Sequence, residues 1–170
     1  MKLSTGFNLV ELMTTLVIAI TLVSIALPSL TDLYQAYRAN MAIRTIQSTL
    51  MLGRNAAISY GARVTACPLT DGNCHNDWQQ GITLFIDLGE PNVIDGQDQI
   101  LLTSDSFHEH DFIKYNRAAI RFQRDGMASG TNGTLSYCPS SRTSPFSQAV
   151  VINQAGRIRF STKNNITCID

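Results

Sequence analysis

Hydrophobic and polar positions change rhythm twice along this 170-residue chain. From Phe7 to Leu30 the sequence is nearly unbroken apolar, and among its 24 residues Glu11 is the only charged one. Coiled as a helix, that run is about 36 Å long, enough to cross the hydrocarbon of a bilayer. After Pro28 the pattern becomes amphipathic: Ala39, Ile43, Ile46, Leu50, Gly53 and Ala57 recur at three- and four-residue steps. This spacing predicts a helix continuing to about Tyr60, with one apolar stripe turned toward a folded domain. Gly61 is the expected stop. Beyond it come short β-prone runs divided by Gly, Pro, Asn and Asp: ARVTAC, GITLFIDL, DQILLT, AAIRFQ, TLSYC, QAVVIN and RIRFS. No helical period interrupts them. The expected class is therefore α+β, a long amino-terminal helix packed on an antiparallel β-sheet domain. Residues 7–30 are expected to form a hydrophobic transmembrane helix, 31–60 its amphipathic continuation, and 61–170 a globular β-rich domain.

Glu11 is the anomaly in the apolar run. A carboxylate in hydrocarbon costs about 2.5–3.5 kcal/mol on insertion scales, so it marks a functional contact. A secretory signal accounts for the position of the run but not for its length or its acid. The stretch GFNLVELM resembles the type IV pilin signature, and Pro28 sits where pilin helices bend. The resemblance implies a prepilin leader at residues 1–6, cleavage between Gly6 and Phe7 by prepilin peptidase, and methylation of the new terminus. Phe7 and Glu11 stand i and i+4 on one helix face. Glu11 then reads as an assembly contact, pairing in lipid with the terminal ammonium of a neighbouring subunit. The resemblance also implies other pilin subunits and inner-membrane lipid as partners. The domain would be periplasmic before assembly and on a surface fibre after it.

LGRNAAISYGARVTAC, DWQQGITLFID and VVINQAGRIRF are similar to the FimT/GspH group of minor pilins and pseudopilins, over nearly the whole chain. GspH-type members belong to secretion pseudopili. FimT-type members belong to type IV pili, and some bind DNA during natural transformation through a Gly-Arg-x-Arg motif. Gly156, Arg157, Ile158 and Arg159 match that motif residue by residue.

Formal charge is zero, but it is segregated. Residues 33–66 carry Arg38, Arg44, Arg54 and Arg63 with no acid, residues 67–111 carry nine acids with no Lys or Arg, and residues 112–170 carry a net +6. Either the basic parts meet an anionic partner, or acidic loops fold over the arginines. In AVVINQAGRIRFSTK two alternating runs flank a turn, which predicts a hairpin. Arg157 and Arg159 would project from one face, Ile158 and Phe160 from the other, with Lys163 extending the cationic side. Two guanidiniums about 6.6 Å apart can each fork onto phosphate oxygens without reading a base. FIKYNRAAIRFQR offers a second basic element, with Arg117, Ala119 and Arg121 alternating and Lys114 and Tyr115 just before them. The function expected is non-specific DNA binding for uptake through Arg157 and Arg159, supported by Gly156, Lys114, Arg121 and Lys163. The alternative is a GspH-like pseudopilin whose hairpin meets protein instead.

Cys67, Cys74, Cys138 and Cys168 suit an exported, disulfide-stapled domain. Three pairings are open. The one favoured closes CPLTDGNC with Cys67–Cys74 and ties the tail to an earlier strand with Cys138–Cys168. Zinc on these thiols with His75 is a sharper alternative that lacks paired C-x-x-C units. His108, Glu109, His110 and Asp111 are metal-capable but read more simply as a solvated loop. Asp87, Glu90, Asn92, Asp95 and Asp98 miss the EF-hand spacing, and structural calcium stays open there. No nucleophile elbow, P-loop or HExxH is present, so neither an enzyme nor a cofactor is expected. Trp78, the sole tryptophan, is expected to pack beside the helix.

Overall fold

The computed structural model describes residues 8–128 and 130–169; Gly6 and Phe7 lie outside the described residues. Helix α1 runs from Leu9 to Tyr60 and contains Pro28. The chain divides into two compact units, residues 1–35 and 36–170. In the first, the side chains from Leu9 to Leu33 are exposed, and α1 is long and apolar enough to cross a membrane.

The second unit contains the fold's core. Here α1 buries Ala39, Ile43, Ile46, Thr49, Leu50, Gly53, Ala56 and Ala57, the expected stripe with two additions at helical spacing. Gly61 takes a positive φ of 59°, a conformation that ends a helix cheaply only at a residue without Cβ. Among the described residues ten strands follow: β1 Val64–Cys67, β2 Leu69–Thr70, β3 Asn73–Cys74, β4 Thr83–Ile86, β5 Gln99–Thr103, β6 Phe112–Lys114, β7 Ile120–Phe122, β8 Gly133–Cys138, β9 Gln148–Ile152 and β10 Ile158–Phe160. They form two four-stranded antiparallel sheets, ordered β5-β4-β1-β7 and β10-β9-β8-β6, and a small β2-β3 ribbon.

One cluster joins the helix stripe to both sheets. Val64, Ala66, Leu84, Ile86, Ile120 and Phe122 enter it from the first sheet, and Leu135, Tyr137, Val150, Ile152 and Ile158 from the second. Strands β1 and β4 are buried on both faces, because Cys67 and Phe85 enter a second cluster covered by Leu69, Cys74 and Ile94. This double cover explains why TLFI reads as an apolar run instead of alternating. Trp78, in a short 3-10 turn, is almost wholly buried in the main cluster and donates its indole N–H to the Arg117 carbonyl at 2.9 Å.

The disulfides are Cys67–Cys74 and Cys138–Cys168. In the chain-entropy account, closing loops with sequence separations of 7 and 30 restricts the unfolded chain by about 2.4 and 3.6 kcal/mol.

Asp111 is not on a solvated loop, as its neighbourhood had suggested. It is 1% exposed and accepts from Arg38 Nη2 at 2.6 Å, the Ser140 N–H at 3.0 Å and the Tyr137 hydroxyl. Burial, then the adjacent carboxylate, pushes the Tyr137 hydroxyl pKa well above its ordinary value. Asp87, also 1% exposed, pairs with Arg63 Nη2 at 2.6 Å and accepts from the Thr65 hydroxyl. Arg38, near the start of the helix segment in this unit, and Arg63, just past the helix end, are thus neutralised internally.

Asp111→Asn keeps the shape but strands the Arg38 guanidinium beside a neutral group. Losing one partner of a buried pair costs about 3–5 kcal/mol, so the urea midpoint of the 36–170 unit should fall sharply, and an unchanged midpoint would refute the pairing. A second prediction concerns alkali. Burial pushes the Tyr115 hydroxyl up to about 12 from 10.0, against a smaller opposing effect of Arg117, and this hydroxyl donates to the Thr131 carbonyl. The folded state holds that proton more tightly, so the stabilisation is complete below pH 10 and is lost as pH rises from 10.0 toward 12. The stability advantage over Tyr115→Phe should shrink across that window in melts taken at increasing pH.

Candidate nucleic-acid interface

The β9–β10 turn spans residues 153–157, and Asn153 organises it. Its carbonyl accepts from the Gly156 N–H at 3.0 Å, its N–H donates to the Arg157 carbonyl at 3.1 Å, and its Oδ1 accepts from the Arg157 N–H at 2.8 Å. The Gln154 carbonyl accepts from the Ala128 N–H at 3.0 Å, holding the turn against the loop that follows β7. Gly156 lies at φ +73°, and a Cβ there would stand 1.8 Å from the Gly126 carbonyl oxygen and 2.9 Å from Arg54 Nε. Glycine is required here by both backbone conformation and space.

Register fixes the side chains beyond the turn. Ile158 pairs with Ile152 and is buried, while Arg157 and Arg159 on either side of it are exposed. The alternation expected from the sequence therefore holds for these three residues. It fails at Phe160, which is 38% exposed and not packed into the core; the Arg44 guanidinium sits 5.8 Å from its ring centroid. Strand β10 ends there, so Lys163 lies beyond it on an irregular, exposed segment and does not extend a strand face.

The other basic residues named from the sequence are not brought to this hairpin. Lys114 is on β6, at the opposite edge of the sheet from β10, about 14 Å away by strand spacing. Its amine donates to the Ile169 carbonyl, so it holds the carboxyl-terminal segment. Arg121 is half-buried on β7 in the other sheet, where the Thr131 hydroxyl brackets its backbone at 3.0 and 3.1 Å. Arg117 precedes β7 on a bend, so Arg117, Ala119 and Arg121 do not form one strand face; Ala119 is buried in the smaller cluster.

Sequence reasoning missed Arg44 and Arg54. Arg54 donates its Nε–H to the Gly126 carbonyl at 3.1 Å and, with Met51, Asn55, Gly156, Arg157 and Ile158, lines a groove of about 450 Å³. The available signal was helical phase. Each arginine directly follows a buried position, Ile43 or Gly53, so at about 100° per residue both fall on the same flank of the stripe. Among the described residues, no carboxylate lies within ion-pair reach of Arg44, Arg54, Arg157 or Arg159.

The acidic loops are otherwise engaged. Asp95 and Asp98 accept backbone N–H groups at 2.7–3.5 Å, and Asp87 is committed to Arg63. The sulfurs of Cys67 and Cys74 are joined to each other, which removes them as thiolate ligands beside His75. His108 and His110 stack edge to face at 5.5 Å, while Asp111 turns inward to Arg38. Among the described residues, no three His, Cys, Asp or Glu side chains form a metal-binding group.

A helix-backed pair of antiparallel sheets with a single apolar spine is the fold of type IV minor pilins. The crystal structure of the type IV minor pilin FimU from Pseudomonas aeruginosa strain PAO1 is similar in two crystal forms. Identities are 21% and 22%, covering 77% and 76% of this chain and 95% and 99% of that one, with a TM-score of 0.60 in each case. The minor pseudopilin EpsH of the Vibrio cholerae type 2 secretion system is a more distant likeness, at 15% identity over 73% of this chain and 96% of that one, TM-score 0.49. The model of the family described as Type II transport protein GspH matches residues 42–156, more than half of the sequence, and the chain belongs to that family. No curated protein sequence matches it significantly.

Gly156→Ala should cost on the order of 3 kcal/mol by forcing a Cβ into the left-handed region against the Gly126 carbonyl. Denaturant unfolding checks this, and a variant as stable as the parent would show that the turn needs no glycine.

Proposed function

We propose that this protein is a minor type IV pilin that binds DNA non-specifically for uptake in natural transformation, with Arg157 and Arg159 as its central contacts. The observation that carries this reading is that the two arginines stand exposed on either side of a buried Ile158, on an edge hairpin braced by Asn153 and Gly156, with no carboxylate in reach among the described residues. Exposed forks on a rigid edge suit phosphate oxygens, which need charge and reach but no base-specific geometry. The Gly-Arg-x-Arg likeness to DNA-binding FimT members supports the same assignment.

In the same reading, prepilin peptidase cuts between Gly6 and Phe7, and the new amino terminus is methylated. Glu11 meets the terminal ammonium of an adjacent subunit, so its carboxylate does not stay unpaired in lipid. The apolar helix anchors the subunit in the inner membrane, with its domain periplasmic, until it joins a fibre of other pilin subunits.

A second reading is a pseudopilin of a secretion fibre, with the hairpin as a protein contact. It is favoured by the family match, which is to the family described as Type II transport protein GspH.

Titration of duplex DNA across salt concentrations separates the two. DNA binding predicts a log affinity that falls linearly with log salt, and Arg157→Gln with Arg159→Gln should flatten the slope by about 0.9 per arginine. Binding whose slope is untouched by both changes would remove the hairpin from the interface.

A further inference from the structure

Resting on that reading of the hairpin, we propose that the nucleic-acid interface is composite. Arg54 and Arg44 of α1 share it with Arg157 and Arg159, and one backbone phosphate seats in the groove between Arg54 and Arg157. The argument begins from the groove itself. Its walls come from two elements, Met51, Arg54 and Asn55 from the helix and Gly156, Arg157 and Ile158 from the hairpin, so two arginines line one concavity of about 450 Å³. Like charges lining one groove repel each other, and an anion entering between them relieves that repulsion.

Arg54 is also pre-positioned. Its Nε–H is fixed on the Gly126 carbonyl at 3.1 Å, the same oxygen that excludes a side chain at Gly156. Among the described residues its terminal nitrogens have no hydrogen-bond partner. A guanidinium held by Nε and open at its two terminal nitrogens presents a planar fork suited to a phosphodiester. Asn55 is exposed on the same wall and adds a neutral donor.

The charge continues from the groove along β10. Arg159 follows two residues beyond Arg157, and Arg44 stands over Phe160 at the strand's end. Residues 44 and 54 are about 15 Å apart along the helix axis, and residues 156 and 160 about 13 Å apart along the strand. Arg54 meets the hairpin at Gly156 and Arg44 meets it at Phe160, so helix and strand run side by side in opposite directions. A nucleic-acid strand following this seam would pass several guanidiniums in succession, drawn from both elements. Phe160, 38% exposed at the end of this seam, offers an aromatic surface on which an unstacked base can stack, which predicts single-stranded DNA binding at least as tightly as duplex.

The test uses the full chain in micelles of an uncharged detergent, with short fluorescent duplex and single-stranded DNA followed by anisotropy across sodium chloride concentrations. Arg44→Gln and Arg54→Gln should each lower the duplex salt slope by about 0.9, as the hairpin variants do. Arg54→Lys should restore the slope, because it keeps the charge. Asn55→Asp, at an exposed position remote from the core, should weaken binding by placing a carboxylate in the groove. Arg54→Gln combined with Arg157→Gln should lose less affinity than the two single losses multiplied, because both forks hold one phosphate. Thermal melts of each variant separate lost contacts from lost folding. If the hairpin variants lose binding while Arg44→Gln, Arg54→Gln and Asn55→Asp match the parent, the composite interface is overturned and the hairpin reading survives. If the parent does not bind either DNA, both fall together. Losses confined to the helix variants would overturn the hairpin reading and, with it, the composite interface.

Discussion

The domain depends on one stripe of small and branched side chains on α1, from Ala39 to Ala57, that both sheets share. Each four-stranded sheet turns a row of residues toward the helix, and the two rows meet in that common cluster. Small residues at Ala39, Gly53, Ala56 and Ala57 let strands approach closely, while Ile43, Ile46 and Leu50 fill the space between them. The helix is therefore the inner wall of the domain as well as the chain that leads to it. This is why the basic hairpin can meet helix residues at all: β10 reaches α1 because Ile158 joins the same cluster.

The segregated charges divide by helix phase. Arg38 precedes the buried Ala39 and so lies on one flank, where Asp111 reaches it; Arg44 and Arg54 follow buried positions and lie on the other, beside β10. Both readings of the charge pattern therefore apply, on different flanks. Acidic loops cover Arg38 and Arg63, and among the described residues no carboxylate pairs with the remaining helix arginines beside β10.

Much of this was legible because it is written in local period. The stripe, the stop at Gly61, the seven principal strands and the exposure of Arg157 and Arg159 around Ile158 all follow from spacing within a dozen residues. What could not be read was set by distant partners. Asp111 sits in a stretch that looks solvated, yet its ion pair bridges 73 residues to Arg38. Arg117 and Arg121 alternate as a strand should, but the strand starts only at Ile120, and the Arg117 carbonyl goes to the Trp78 indole. Phe160 alternates inward on paper and is left outside because the strand ends there with α1 alongside. The short strands β2, β3 and β6 carry too few residues to show any period.

The Cys138–Cys168 bond has a mechanical consequence. It closes residues 138–168 into a covalent ring, and β9 and β10 lie wholly inside that ring. An edge strand ordinarily unzips from its free end, one ladder bond at a time. Here the free end begins only after Cys168, so tension applied at the β9–β10 turn divides between two covalent arms that converge on the end of β8. Stretching could open the ring's interior but could not strip the strand away from the sheet by its tail, so the attachment of this edge outlasts its ladder of hydrogen bonds.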